Sequence, residues 1–203
     1  MIDIALTLLH DELVSYVNQL NDSIDISINN IGMLETADNS AALSESIILT
    51  LVNIEEESTL KNQAAVKRPF FNNVAVYENV PVYLNLYVLF TSNFKAYTLA
   101  LKRLSYVIQF LQRKNSFSSS TSVAGNNVSV FDPKNLIDLK FTLELYTLTF
   151  EQINHLWGSL GGRQIPFVMY KLRLIGITDR TPLREVPLIE EIDTTILKTD
   201  SNN

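Results

Sequence analysis

Residues 81–93 read PVYLNLYVLFTSN, and the reading of this stretch decides the fold. Side chains on a strand alternate between two faces. Val82, Leu84, Leu86, Val88 and Phe90 take one face, which is plainly core. Tyr83, Asn85, Tyr87, Leu89 and Thr91 take the other. That second face is neither core nor ordinary solvent surface. A helix, a ligand or another protein has to cover it.

Composition narrows the choice. The chain has 203 residues and is 46% hydrophobic, enough for one substantial core or two small ones. Proline and glycine number six each, too few for wholesale disorder. A net charge of −6 weighs against a general nucleic-acid binder, which would carry a basic field. Without cysteine there is no disulfide framework, thiolate nucleophile or cysteine metal site, which fits a cytosolic or assembly protein. The stretch MIDIALTLLHDELVSYV has no basic start and is broken by Asp3, Asp11 and Glu12, so it does not read as a signal peptide. No apolar run approaches the roughly 18–20 residues needed to cross a bilayer, and no membrane contact is expected.

Working outward, helices and strands mix without a regular βα repeat. Leu6, Leu9, Leu13, Val17 and Leu20 make one face of a helix over 3–20, with Asp3 as its cap. NDSIDISINN has isoleucine for a short strand, and ESIILTLVNIEEES is a stronger one. KNQAAVKRPFFNN reads as loop or edge, because Pro69 cannot donate to a ladder. After the 81–93 strand, a second helix spans roughly 94–113. Tyr97, Leu101, Leu104, Ile108 and Leu111 form its main apolar stripe, widened by Ala100 and Val107. RKNSFSSSTSVAGNN is a loop by composition.

LIDLKFTLELYTLTF supplies another strand. Thr149 and Gln152 then form a capping-box pattern before a short helix with Ile153, Leu156, Trp157 and Leu160 on one side. Gly161 and Gly162 stop it. QIPFVMYKLRLIGI is the last long strand, with Val168, Tyr170, Leu172 and Leu174 on one face. The sum is a single α+β domain over residues 1–178, a mostly antiparallel sheet with helices packed on one side. Residues 179–203 follow as an extended C-terminal arm, too apolar at Leu188, Ile189 and Ile192 for a passive linker.

Catalytic chemistry is not written in this pattern. His10 has Asp11 beside it, but adjacent helical residues do not face each other. His155 reads as a surface residue. The acids at 55–57, and Glu190, Glu191 and Asp193, do not converge on a cation and lack EF-hand spacing. The serines at 116–122 have no nucleophile elbow and no base. SLGGRQ follows a helix and precedes a strand, the reverse of a P-loop, and lacks its Lys–Ser/Thr pair; Arg163 within it is free to meet a partner carboxylate. Lys102, Arg103, Arg113 and Lys114 sit at different helical phases, a solvated face more than an RNA-binding one. No catalytic residue, metal site or cofactor is expected. Tyr83 and Tyr87 combine apolar area with a polar tip, which suits an interface. From the residues alone, the sheet face is covered either by its own helices or by another subunit.

Three stretches together carry a family resemblance: VPVYLNLYVLFTSNFKAYTLALKRLSYVIQFLQ, the segment around 142–148, and INHLWGSLGGRQIPFVMYKLRLIGI. They resemble the cap or terminator proteins of contractile injection systems, over roughly residues 5–178. The resemblance implies a phage-tail-like particle in which cap subunits form a sixfold ring at the baseplate-distal end and stop growth of the inner tube and sheath. Asn93 corresponds to an Asn at the family's strand-to-helix junction, and Trp157, Gly161, Gly162, Pro166 and Tyr170 to its later block. By that resemblance these residues are structural, the partners are further copies plus tube and sheath proteins, and the site of assembly is the cytoplasm. The arm does not carry the resemblance; it either packs on its own domain as an edge strand or orders against a neighbouring subunit. The rival classes are a small monomeric protein-binding adaptor and, more weakly, a hydrolase.

Overall fold

A computed structural model describes residues 1–20, 22–34, 43–58, 66–67, 74–77, 82–119, 139–177 and 184–187. The chain forms two compact units, one of Met1–Leu60 with Val82–Ile177 and one of Lys61–Pro81 with Thr178–Asn203.

The first unit is the α+β domain. Its strands are β1 (Asp25–Ile28), β2 (Ser46–Glu56), β5 (Val82–Asn93), β6 (Ser116–Ser118), β7 (Lys140–Leu145) and β8 (Phe167–Ile177). They form one sheet in the order β1-β2-β5-β8-β7-β6. Only β1 and β2 run parallel; the other neighbours are antiparallel. The 81–93 stretch is thus a central strand, paired on both sides, and its first face is core from Leu86 onward: Leu86, Val88 and Phe90 are fully buried, whereas Val82, read as core, is exposed at the strand's start. The second unit contributes three short strands, β3 (Val66–Lys67), β4 (Val74–Tyr77) and β9 (Arg184–Pro187), in the order β3-β4-β9. The arm expected after residue 178 therefore pairs, at 184–187, with β4 of the same chain, and the stretch 61–73 read from sequence as loop or edge holds the two-residue strand β3 on the other side of β4.

Helices α1 (Ile2–Gln19) and α2 (Tyr97–Arg113) cover the Leu86–Val88–Phe90 face. Helix α3 (Phe150–Ser159) and a 3-10 turn at Ile31–Met33 pack on the opposite face, around Ile48, Leu89, Met169 and Trp157. The one-sided layering expected from the sequence holds for the two long helices and not for the short one. The reason lies in β5 and β8, whose Leu89 and Met169 point away from the long helices and require their own cover.

Local departures have physical causes. Ser116–Ser118, expected as loop, is an edge strand because Phe117 is buried, stacked on Phe141 at 5.4 Å and against Phe110 at 5.9 Å. A register shift between Leu84 and Leu86 brings Ile175 into the core beside Leu172. Helix α2 is rotated from its expected phase. Ala100, Leu104, Val107, Phe110 and Leu111 are its buried residues, whereas Tyr97, Leu101 and Ile108 are exposed. Phe110 sets the rotation by wedging between Tyr16 and Phe117. The N-cap of α1 is Met1 and not Asp3. His10 does reach its neighbour: its Nδ1 lies 2.8 Å from Asp11 Oδ1 and its Nε2 2.9 Å from the Ile26 carbonyl, linking α1 to β1.

Candidate protein-binding surface

The second face of β5 divides into two regions. At Leu89 and Thr91 it is fully buried. Trp157 covers this end, 4% exposed and edge-on to Phe167 at 5.4 Å. Its helix begins at Thr149, whose Oγ1 accepts from the Gln152 N–H at 3.3 Å while Gln152 Oε1 accepts from the Thr149 N–H at 3.0 Å. Each bond satisfies a donor that a helix start would otherwise leave orphaned. Gly161 and Gly162 take φ of +103° and +78°, and the Gly162 N–H donates to the Trp157 carbonyl at 2.6 Å. This is a glycine stop of the kind L-residues resist. Pro166 then leads into β8, its carbonyl accepting from the Ser92 N–H at 2.9 Å. Asn93 Nδ2 donates to the Leu43 carbonyl at 2.7 Å, holding the turn before β2. Tyr170 lies on the other face, edge-on to Phe90 at 5.8 Å, and burial raises its hydroxyl pKa.

Toward Tyr87 and Tyr83 the same face turns polar. The Tyr87 hydroxyl donates to Glu55 Oε2 at 2.6 Å, and Lys171 Nζ donates to the same oxygen at 3.1 Å. The Lys171 ammonium also lies 5.2 Å from the Tyr87 ring centroid, and Tyr146 meets that ring edge-on at 5.0 Å. Bonding to Tyr87 and Lys171 holds the Glu55 carboxyl below its ordinary pKa. Partial burial and the bond to Glu55 raise Tyr87, and Tyr87 followed by Glu55 raises Lys171. Glu144 and Arg173 form a neighbouring pair at 3.2 Å, both about half exposed. Tyr83 is half-buried on this region. Glu55 lies in strand register opposite Asn85. Only the pairing of β5 with β2 on one side and β8 on the other brings Glu55, Tyr87 and Lys171 together, so no sequence spacing pointed to the cluster.

A second surface was missed for a different reason. Tyr97 is 66%, Leu101 42% and Ile108 41% exposed along the outer side of α2. The first two border an open groove of about 430 Å³ whose other wall is Gln164–Phe167. The signal was present as helical spacing but was assigned to the core. Arg163, one residue before that wall, is exposed beside a small cleft formed by Ile31, Leu34, Trp157 and Leu160. The cationic cluster of α2 does not form a single face. Arg103 stacks on Phe94 at 4.3 Å and reaches Asp22 at 3.4 Å, while Lys114 is bonded to Glu12 at 2.8 Å. Leu188, Ile189 and Ile192 lie outside the described residues. Among the described residues no acidic or histidine cluster converges as a metal site, and no helix is long and apolar enough to cross a membrane.

Comparison with known proteins places this arrangement. The family described as the Pvc16 N-terminal domain matches residues 5–191. In fold the chain is similar to the sheath/tube terminator of PVC, an extracellular contractile injection system, solved in its extended state. That likeness has a TM-score of 0.65 at 14% identity and covers 100% of this chain and 65% of the other. It is also similar to the tube-terminating cap of the anti-feeding prophage, with a TM-score of 0.59 at 17% identity, covering 97% of this chain and 61% of the other. The chain spans less than two thirds of the length of either protein. No curated protein sequence matches it.

Proposed function

Because this chain belongs to the Pvc16 N-terminal domain family, we propose that it is a structural terminator of a contractile injection particle and not an enzyme. Copies of the chain close into a ring of six at the baseplate-distal end, where the ring stops growth of the inner tube and the sheath. Assembly takes place in the cytoplasm, and the ring stays with the particle. The observation that supports this reading is a likeness of fold running over essentially the whole chain to two proteins described as tube terminators.

The physical requirements of a terminator fit the sheet. A terminator must seat on the last ring of a polymer without offering an equivalent surface to the next. Its edge strands β1 and β6 are four and three residues long, short enough to discourage further strand pairing. Contact with tube or sheath would use side chains, with the Tyr83–Tyr87 region and Arg163 as candidates. Asn93, Trp157, Gly161, Gly162, Pro166 and Tyr170 serve the scaffold, and the arm, which pairs at Arg184–Pro187 with β4 of its own chain, engages a neighbouring subunit through the residues that follow.

Electron microscopy of particles assembled with and without the chain tests the reading. Sixfold density at one end is expected, with open or over-long tubes when the chain is withheld. Density at neither end, or a single copy, would end the proposal in favour of a monomeric adaptor.

A further inference from the structure

The groove between α2 and Gln164–Phe167 carries a charge bias that the rest of the chain does not share. Its lining is Tyr97, Leu101, Leu104 and Gln164–Phe167, and the segments that carry these walls, 82–114 and 152–177, contain no aspartate or glutamate. Together they hold eight of the 16 lysines and arginines; Arg103, Lys114, Lys171 and Arg173 are paired with acids from other segments, and Lys95, Lys102, Arg113 and Arg163 are the remaining four. Lys95, Lys102 and Arg163, each within two residues of a lining residue, are exposed. Glu45, contributed from outside these segments, accepts from the Lys95 N–H at 3.1 Å. The groove floor is apolar, with Leu101, Leu104, Ile165 and Phe167 and one amide side chain, Gln164. Its occupant should therefore be aliphatic and acidic.

Residues 188–197 of the same chain, LIEEIDTTIL, have that composition: five aliphatic residues, three acids and no base. We propose that the groove of one copy receives the 188–197 segment of a second copy, its aliphatics against Leu101 and Ile165 and its acids toward Lys95, Lys102 and Arg163. The proposal rests on the ring reading and gives it a link. A head-to-tail contact in which each copy both gives and receives a segment is the heterologous type that closes rings. Burying the exposed stripe of α2 supplies the apolar term, and the unlike charges select the partner and its direction.

The chain has no cysteine, so introduced thiols have no background. One tagged chain carrying Leu101→Cys and a differently tagged chain carrying Ile192→Cys are mixed with tubes and sheath and oxidised. Each variant holds one thiol, so every cross-link joins two chains. A heterodimer yield at least about tenfold above a control pair of Leu101→Cys with Phe150→Cys is expected, because a docked segment raises the effective thiol concentration. Lys102→Glu should lower that yield, and Glu190→Lys with Glu191→Lys in the partner copy should restore it. Electron microscopy of the same sample reports end-binding independently. Capped tubes with a yield no better than the control would overturn the groove assignment and leave the terminator reading standing. Cross-linking without capped tubes would support the contact between copies and remove the terminator reading. Absence of both would overturn both.

Discussion

Leu89 and Tyr87 stand two residues apart on one strand and face the same way, yet they meet opposite environments. Leu89, beside Met169 on the same face, is sealed in the cluster that Trp157 covers, whereas the Tyr87 hydroxyl donates to a half-exposed carboxylate that an ammonium also bonds. The contrast follows from length. Ten residues of α3 extend about 15 Å, and twelve residues of β5 about 40 Å, so the helix roofs only part of the strand. Where the roof ends, tyrosine replaces leucine, and Glu55 and Lys171 supply the partners that a buried leucine never needs. One half of the face is held by apolar burial and the other by a paired polar cluster.

The largest test of that contrast is on the roofed side. Trp157→Ala should cost about 3–5 kcal/mol, read as a lower denaturation midpoint at unchanged slope. Trp157→Phe should cost far less, because the indole Nε1 is buried without a partner and phenylalanine removes that unsatisfied donor. Equal losses for the two variants would show that the indole nitrogen is satisfied. Gly161→Ala comes next, at about 1–3 kcal/mol. A Cβ there meets nothing within 4 Å, so the whole cost is the φ of +103°. A neutral result would mean that the helix stop can relax.

The two sides of α2 extend the comparison. Phe110→Ala should destabilise by about 3–5 kcal/mol, whereas Leu101→Ser or Ile108→Ser should stay within about 0.5 kcal/mol of the parent. A loss at Leu101 to match that at Phe110 would put the helix back in the phase read from its sequence. On the polar half the expected effect is smallest. The folded-state pKa of Glu55 lies below its ordinary value of 4.5, so its contribution is fully present above that value and fades as pH falls through the folded one. Glu55→Gln should lower stability slightly at neutral pH and converge with the parent in acid, so that the acid limb flattens; the effect is small because the carboxylate is solvent-screened. An acid limb that does not change would show that the cluster adds nothing to the fold.

Much of this was legible beforehand. Period-two alternation in 81–93 identified the core face, because a strand cannot present Leu86 and Leu89 to the same side. Thr149–Gln152 and Gly161–Gly162 marked both ends of α3, since capping and left-handed φ are demands that only a few residue types meet. The phase of α2 was not legible. Residues 97, 101, 104, 108 and residues 100, 104, 107, 111 are both valid helical stripes, and periodicity ranks them equally. Phe110 broke the tie by packing against α1 and β6, elements distant in sequence.

By itself, then, the sequence determined the quantities that depend on neighbours along the chain: strand faces, helix ends, the absence of a glycine-rich phosphate loop, and a family resemblance carried by local motifs. Tertiary structure alone decided the rest. It put α3 on the far side of the sheet from the long helices, joined Glu55 to Tyr87 and Lys171, and turned Tyr97, Leu101 and Ile108 outward. Local pattern is set by sterics and by backbone hydrogen bonds within a few residues. The outward surface is whatever remains after distant side chains have competed for the core, and that competition is settled only when the whole sheet is assembled.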